Sequence, residues 1–204
     1  MKQFWILILI VIFITAIFFF LRGDEYDIAN IPPKNDVIIA FGDSLVEGVG
    51  SEQGGGFVSI LEARFGIDVV NLGVAGDTTA AALKRLPEAL SYDPGIAIVL
   101  LGGNDALRRV SQEETEKNLS AILATFREQG AVMVLLSVRG GIFGDPYDEM
   151  YEVLAEKYGA IHVPNVLEDI LLRPEFTYDQ LHPNDKGYTI VADRVEDAMR
   201  NVMK

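Results

Sequence analysis

From residue 37 onward, short apolar runs alternate with longer segments in which apolar residues recur with helical period. The apolar runs are rich in β-branched residues and show no polar alternation, which is typical of strands buried on both faces. The predicted strands are residues 37–41, 69–72, 96–101, 132–138 and 160–163. The predicted helices are residues 57–65, 78–90, 112–128, 146–158 and about 185–202. Because parallel neighbours need crossovers that cover both faces, this alternation predicts a three-layer α/β/α sandwich around a five-stranded parallel sheet.

The first 22 residues differ from the rest of the chain. Phe4 to Leu21 is an uncharged stretch of 18 residues with Thr15 as its only polar member. As a helix rising ~1.5 Å per residue, it comes close to spanning a hydrocarbon core about 30 Å thick. Residues 18–22, Phe-Phe-Phe-Leu-Arg, offer no small-residue cleavage site. We therefore predict an uncleaved transmembrane anchor over residues 1–22, with a cleaved signal peptide or a buried soluble helix as alternatives.

The anchor also predicts where the remainder of the protein lies. Lys2 stands on one side of the apolar stretch and Arg22 and Lys34 on the other, so flanking charge alone decides no orientation. A short leading tail before a large folded body is the usual arrangement of a signal anchor, which predicts a body outside the cytoplasm. Signal cleavage would instead give a secreted or periplasmic protein. Residues 23–35, which are acidic and contain two prolines, are predicted as a tether, and residues 36–204 as the folded domain.

Charge and composition exclude several functions. The 204 residues include 17 Lys+Arg and 30 Asp+Glu, for a formal net charge of −13. Residues 1–22 hold two of the basic residues and no acid, so the rest of the chain carries a formal −15. Phosphate backbones repel such a chain, so no nucleic-acid partner is expected. The chain has no cysteine and two histidines 20 residues apart, and it lacks the usual glycine-rich phosphate motifs, so neither a metal nor a cofactor is expected.

Groups suited to catalysis follow three of the predicted strands at the point where each strand ends. Ligands of parallel sheets bind beyond these carboxyl ends. Ser44 follows the first strand in Gly-Asp-Ser-Leu and is a candidate nucleophile, although it could also cap a helix and lacks the second glycine of G-x-S-x-G. Gly76 follows the second strand at the start of a helix, where its N–H can face developing negative charge, or simply form a turn. Asn104 follows the third strand, and its amide can donate a hydrogen bond to an oxyanion or simply stabilise the glycine turn in which it stands.

A hydrolytic serine normally needs a base of intermediate pKa, which directs attention to the two histidines. His162 lies between two apolar residues of a predicted strand, so a structural role is favoured. His182 precedes a proline in a loop before the last helix, and Asp179 lies three residues upstream, where it can orient the ring. Ser44, His182 and Asp179 therefore match the roles of a Ser-His-Asp triad, whatever their order along the chain.

At these motifs the sequence resembles the SGNH, or GDSL, hydrolase family. The matching blocks occur in order: GDSL at 42–45, the glycine of AGDT at 76, GGND at 102–105 and D-x-x-H-P at 179–183. The resemblance extends from residue 37 to about 195. The segments NLGVAGDTTAAALKRLP and LGGNDALRR are most similar to the bacterial arylesterase, acyl-CoA thioesterase and lysophospholipase type.

The resemblance implies a flavodoxin-like sheet and a hydrolase domain over residues 36–204. It implies Ser44 as nucleophile, His182 as general base and acid, and Asp179 as the residue that orients His182. It also implies an oxyanion hole formed by the backbone N–H groups of Ser44 and Gly76 and the side chain of Asn104.

The leading hypothesis is a serine esterase that hydrolyses small or lipid-like acyl esters or thioesters through an acyl-serine intermediate. One alternative keeps the same triad but transfers an acyl group to, or removes one from, an envelope carbohydrate. A non-enzymatic binding module on the same fold is a further alternative, because fold does not imply function. It would be indicated by a missing catalytic block, and all four blocks are present.

Overall fold

The computed structural model describes residues 26–138 and 146–203. Within them, five parallel strands form one sheet in the order β2-β1-β3-β4-β5. The strands are β1 Ile38–Gly42, β2 Val69–Gly73, β3 Ile96–Leu100, β4 Val132–Leu136 and β5 Ile161–Val163. This is the flavodoxin-like order, in which the chain reverses direction across the sheet between β1 and β3. The predicted sheet is confirmed, and ligand binding is expected at the carboxyl ends of these two strands.

Helices join the strands. In the described residues the α-helices are α1 Ser44–Glu47, α2 Gly56–Phe65, α3 Thr79–Ser91, α4 Gly103–Leu107, α5 Gln112–Glu128, α6 Pro146–Tyr158 and α7 Asp185–Met199. The five longer helices agree with the predicted ones to within three residues at each end. The short helices α1 and α4 were not predicted, because four or five residues are too few to show a helical period.

Two apolar cores lie on opposite faces of the sheet, as the predicted three layers require. Successive residues of β1 alternate between them: Ile38 and Ala40 face one core, and Ile39 and Phe41 the other. The first core is completed by side chains of α2 and α7, and the second by side chains of α3, α5 and α6. β1 is therefore buried on both faces, which explains its unbroken apolar sequence.

Residues 26–35 pack on the amino edge of the sheet, opposite the carboxyl ends of the strands. The Tyr26 hydroxyl donates to the carbonyl of Ala160, just before β5, over 2.7 Å. The Asn30 amide donates over 2.9 Å to the carbonyl of Ala131, just before β4. This part of the predicted tether therefore contacts the folded domain directly.

The transmembrane helix predicted over residues 1–22 lies outside the described residues, as do residues 23–25 of the predicted tether. Across residues 26–138 and 146–203, every helix is too short or too polar to cross a bilayer.

Candidate active site

Ser44 begins α1 directly after the central strand β1. The Asp43 side chain caps this short helix by accepting a hydrogen bond from the N–H of Leu45 over 3.0 Å. The strand can turn into the helix so tightly because Gly42 has no side chain: a Cβ there would lie 2.3 Å from Cγ2 of Val46 and 2.4 Å from the carbonyl oxygen of Leu100. The turn leaves Ser44 at the carboxyl edge of the sheet, on the wall of a cavity.

The structure brings Ser44, His182 and Asp179 into sequential contact. Nε2 of His182 lies 2.9 Å from Oγ of Ser44, and Nδ1 lies 2.9 Å from Oδ2 of Asp179. An ionised carboxylate can only accept, so Nδ1 carries the ring hydrogen and Nε2 is free to accept the hydroxyl proton of Ser44. Burial opposes the ionisation of Asp179, but hydrogen bonds from the His182 ring and from the N–H groups of Leu181 and His182 outweigh it and lower the pKa of Asp179.

Asn184 holds the loop that carries His182, a role that the sequence analysis missed. Its side-chain amide donates to the carbonyl oxygens of Glu175 and Thr177, at 3.0 and 3.3 Å. Its side-chain oxygen accepts from two N–H groups in the first turn of α7. One residue therefore closes the loop and caps the helix that follows it. An asparagine directly before a predicted helix is the signal that could have indicated the cap.

Gly76 occupies a tight turn between β2 and α3. The N–H of Asp77 donates to the carbonyl of Val74 over 3.1 Å, and Gly76 has a φ of 81°, which indicates a type II turn. The carbonyl of Gly76 accepts from Nη2 of Arg108 over 2.7 Å. Within the described residues, the N–H groups of Gly76 and Ser44 have no protein acceptor. Both residues line the cavity, so both N–H groups are available to a ligand.

Asn104 lies in the first turn of α4, on the same cavity. Its Nδ2 donates to the carbonyl oxygen of Asp77 over 3.0 Å and to Oδ2 of Asp43 over 3.3 Å. Two acceptors on this side fix the amide so that its nitrogen, not its oxygen, faces the turn at Gly76. The predicted donors Ser44, Gly76 and Asn104 thus come from the ends of β1, β2 and β3 and line one cavity with His182.

Asp43 is a buried carboxyl group that the sequence analysis did not identify. The residue is 4% exposed, and burial is the main cause that raises its pKa to about 6. The carboxyl groups of Asp77 and Asp105 raise it further, whereas the N–H of Leu45 and the nearby His182 lower it. The pKa values of the two aspartates of the site are therefore shifted in opposite directions, upward for Asp43 and downward for Asp179.

A hydrogen-bonded network behind the site anchors α4. The fully buried Asp105 accepts from the N–H of Thr79 over 2.9 Å and from its hydroxyl over 2.5 Å. The amide of Asn118 in α5 donates to the Thr79 hydroxyl over 3.2 Å. These contacts join the starts of α3 and α4 to α5. An aspartate in the segment Gly-Gly-Asn-Asp looks like part of a solvated turn in the sequence, so its burial was not foreseen.

The cavity beside Ser44 has a volume of about 500 Å³. Its polar groups cluster at Ser44, His182 and Asn104, and the remaining wall is largely apolar. That wall includes Leu45, Val49, Ala106, Leu107, Val138, Tyr147, Tyr151, Leu167, Leu171 and Leu181. A cavity of this size, with convergent polar groups at one place, is typical of a small-molecule site.

The second histidine has a different environment. Nε2 of His162 lies 3.2 Å from Oγ of Ser137, which also accepts from the N–H of Asn165 over 3.1 Å. Burial lowers the pKa of His162, while Glu152 and Asp148 oppose that shift. Neither Ser137 nor His162 lines the cavity at Ser44. Among the described residues, no cluster of three or more histidine or acidic side chains is arranged to hold a metal ion.

A serine, a histidine and an aspartate in sequential contact, at the carboxyl edge of a flavodoxin-like sheet, define a serine hydrolase. Residues 40–190 match the GDSL-like lipase/acylhydrolase family, and the chain belongs to that family. The predicted family is therefore confirmed, and with it the prediction of an ester-hydrolysing enzyme.

Individual relatives agree with this assignment. The chain is 29% identical over 167 residues to thioesterase 1/protease 1/lysophospholipase L1 of Escherichia coli K12, which covers 78% of this chain and 80% of that protein. It is 31% identical over 144 residues to an arylesterase of Vibrio mimicus, which covers 67% of this chain and 72% of that protein. The crystal structure of AlinE4, an SGNH-hydrolase family esterase, matches with a TM-score of 0.65 at 36% identity and covers 84% of this chain and 98% of the other.

Proposed function

We propose that this protein is a serine esterase that hydrolyses acyl esters and thioesters through an acyl-Ser44 intermediate. The observation that carries the proposal is the 2.9 Å contact between Ser44 Oγ and His182 Nε2 beside two N–H groups that have no acceptor among the described residues. A nucleophile, its base and an anion-binding arrangement thus share one cavity, which is what acyl transfer to a serine requires.

The first half of the reaction forms the acyl-enzyme. Oγ of Ser44 attacks the substrate carbonyl carbon while Nε2 of His182 takes the hydroxyl proton. The positive charge that develops on the ring is stabilised by Asp179, whose carboxylate lies 2.9 Å from Nδ1. His182 then gives its proton to the departing alcohol or thiol as the carbonyl–leaving-group bond breaks.

The second half returns the enzyme to its starting state. A water molecule attacks the acyl carbon, His182 takes a proton from the water, and the same proton returns to Ser44 as the carboxylic acid leaves. In both halves the oxyanion accepts hydrogen bonds from the N–H groups of Ser44 and Gly76 and from Asn104. The oxyanion replaces the longer contact of the Asn104 amide, the 3.3 Å one to Asp43, while the 3.0 Å contact to the Asp77 carbonyl is kept.

The apolar wall of the cavity supports an acyl chain as the group bound beside Ser44. Each buried methylene contributes about 0.8 kcal/mol, so kcat/KM should rise about fourfold for each added carbon until the cavity is full. The names of the E. coli and Vibrio relatives support the same classes of substrate, namely thioesters, lysophospholipids and aryl esters.

We also propose that residues 1–22 anchor the domain, residues 36–204, to a membrane outside the cytoplasm. The 18-residue uncharged stretch supports the anchor. Because residues 26–35 pack on the amino edge of the sheet, an anchored domain would turn its active site away from the bilayer. Intact mass of the membrane-bound protein should equal that of the full chain, whereas a shorter soluble species would indicate a cleaved signal and a secreted or periplasmic enzyme.

The catalytic proposal is tested with the full chain in detergent and a series of p-nitrophenyl acyl esters. Ser44→Ala should abolish hydrolysis. Ser137→Ala is the matched control, because Ser137 is the other serine that contacts a histidine, and this variant should retain its kcat. Full activity in Ser44→Ala would refute the proposal. Transfer of the acyl group to added saccharides, without release of free acid, would favour the carbohydrate acyltransferase alternative.

A further inference from the structure

Arg85, in α3, extends beneath the turn that carries Gly76. Its side chain is 18% exposed, and that of its ion-pair partner Asp77 is 13% exposed. Nε donates to Oδ2 of Asp77 over 2.6 Å, Nη1 to the carbonyl of Leu72 over 2.8 Å, and Nη2 to the carbonyl of Gly42 over 2.7 Å. The guanidinium also lies 4.4 Å from the centre of the Phe41 ring. All three nitrogens thus have partners, which fixes the position of the group.

Each partner of Arg85 is next to a part of the proposed machinery. Gly42 lies two residues before Ser44, at the end of β1. Leu72 lies near the end of β2, which leads into the turn at Gly76. Asp77 follows Gly76 directly, and its carbonyl oxygen accepts from the Asn104 amide over 3.0 Å. One guanidinium therefore connects β1, which leads to Ser44, to the turn that carries the N–H of Gly76. The same turn contacts the amide of Asn104 through the Asp77 carbonyl.

An arginine suits this place for physical reasons. Its donors are held in a rigid planar fork, so the guanidinium can fix three acceptors at set angles, whereas the ammonium of lysine is a single point charge on a flexible stem. The bond to Asp77 is charge-assisted and little exposed, so solvent weakens it less than it would a surface pair. The α2–α7 surface offers a contrast: Arg64 pairs there with Asp193 and Glu196, which are more exposed and do not line the cavity.

We propose that Asp77 and Arg85 form a positioning pair that holds the N–H of Gly76 and the amide of Asn104 in register with Ser44. This proposal rests on the proposed esterase function. Neither residue touches the reacting atoms: the pair acts by keeping the oxyanion donors preorganised, so its loss should weaken binding of the transition state more than binding of the substrate.

The test uses Arg85→Lys, Arg85→Met and Asp77→Asn in the full chain, with Arg64→Met as the matched control. Because small misplacement of catalytic groups can lower rates about 100-fold, kcat should fall about 10- to 100-fold in all three variants, with KM changed by less than about threefold. The inhibition constant of an alkylboronic acid, which mimics the tetrahedral intermediate, should rise in proportion to the loss of kcat/KM. Binding of the product carboxylic acid and the kcat of Arg64→Met should stay unchanged.

A purely structural role would give a different result. The variants would then melt at lower temperature but keep their kcat and their affinity for the boronic acid, and this outcome would overturn the proposal. Recovery of full kcat in Arg85→Lys would also overturn it, because the single ammonium nitrogen of lysine cannot hold these three acceptors at the positions that the planar guanidinium fixes. If Arg85→Met fails to fold, the isosteric Asp77→Asn, which leaves the other two bonds of Arg85 intact, decides the question. Activity in Ser44→Ala would instead contradict the esterase mechanism itself, so the two failures are distinguishable.

Discussion

Replacement of Asn104 by alanine separates a catalytic contribution from a structural one. The substitution removes the two hydrogen bonds that Nδ2 makes, at 3.0 Å to the Asp77 carbonyl and at 3.3 Å to Asp43. At about 0.5–1.5 kcal/mol each, their loss should lower the free energy of unfolding by about 1–3 kcal/mol. For a domain of this size, that corresponds to a melting temperature lower by about 2–12 °C. The domain should therefore still fold at 25 °C.

The catalytic effect of the same change should be much larger. Loss of one oxyanion donor typically lowers kcat about 100- to 1,000-fold, or about 2.7–4 kcal/mol. Asn118→Ala is the matched control, because it also removes a buried amide. Nδ2 of Asn118 donates to the Thr79 hydroxyl over 3.2 Å, and neither residue lines the cavity. The control removes one hydrogen bond, so it should lower the free energy of unfolding by about 0.5–1.5 kcal/mol, and it should leave kcat within about threefold.

Both variants are to be assayed with a saturating p-nitrophenyl ester at 25 °C, and their melting temperatures measured by circular dichroism. The reasoning is refuted if Asn104→Ala keeps more than about a tenth of the wild-type kcat while folded. It is equally refuted if Asn118→Ala loses as much kcat as Asn104→Ala, since a general loosening of the domain would then explain both results.

Three further predictions concern single residues of the site. Gly76→Ala places a side chain at a φ of 81°, with its Cβ 3.3 Å from Nη2 of Arg108, so the turn should shift and kcat should fall at least about 10-fold. An unchanged kcat would contradict the role of the Gly76 N–H. Asp179→Asn removes the acceptor that fixes the tautomer of His182 and should lower kcat up to about 10⁴-fold, whereas a loss under about 10-fold would argue against a triad. Because burial raises the pKa of Asp43 from its usual 3.8 to about 6, the folded protein binds this proton more tightly than the unfolded chain, so stability falls as pH rises from about 4 to about 6. Denaturant titrations should show that the free energy of unfolding of the wild type declines over this range by up to about 3 kcal/mol relative to that of Asp43→Asn. Free energies of unfolding that change with pH in parallel in the two proteins would contradict the raised pKa of Asp43.

The fold was predictable because its signals are local. Strands such as β3, which is buried along its whole length, are unbroken apolar runs, and helices such as α5 are long enough to show their period and their cap. The strand order could not be deduced from these patterns alone: it was implied by the family resemblance and confirmed by the structure.

The candidate site was predictable only in part. Ser44, Gly76, Asn104 and His182 were found because each follows a recognisable strand or precedes a helix, and the structure brings them to one cavity. Asp43 and Arg85 were missed, because charged residues in a turn or a helix look solvent-exposed in a linear sequence. Their burial arises where the ends of three strands converge, and contacts between residues so far apart leave no local pattern.

The central claim is that Ser44 is a nucleophile activated by His182, and covalent labelling tests it most directly. A fluorophosphonate ester, which loses fluoride to an activated serine, should add once to the full chain, and peptide mass spectrometry should locate the adduct on Ser44. Labelling should disappear in Ser44→Ala, slow greatly in His182→Ala and proceed at the wild-type rate in Ser137→Ala. An adduct on a different serine, or a labelling rate at Ser44 that does not depend on His182, would contradict the mechanism.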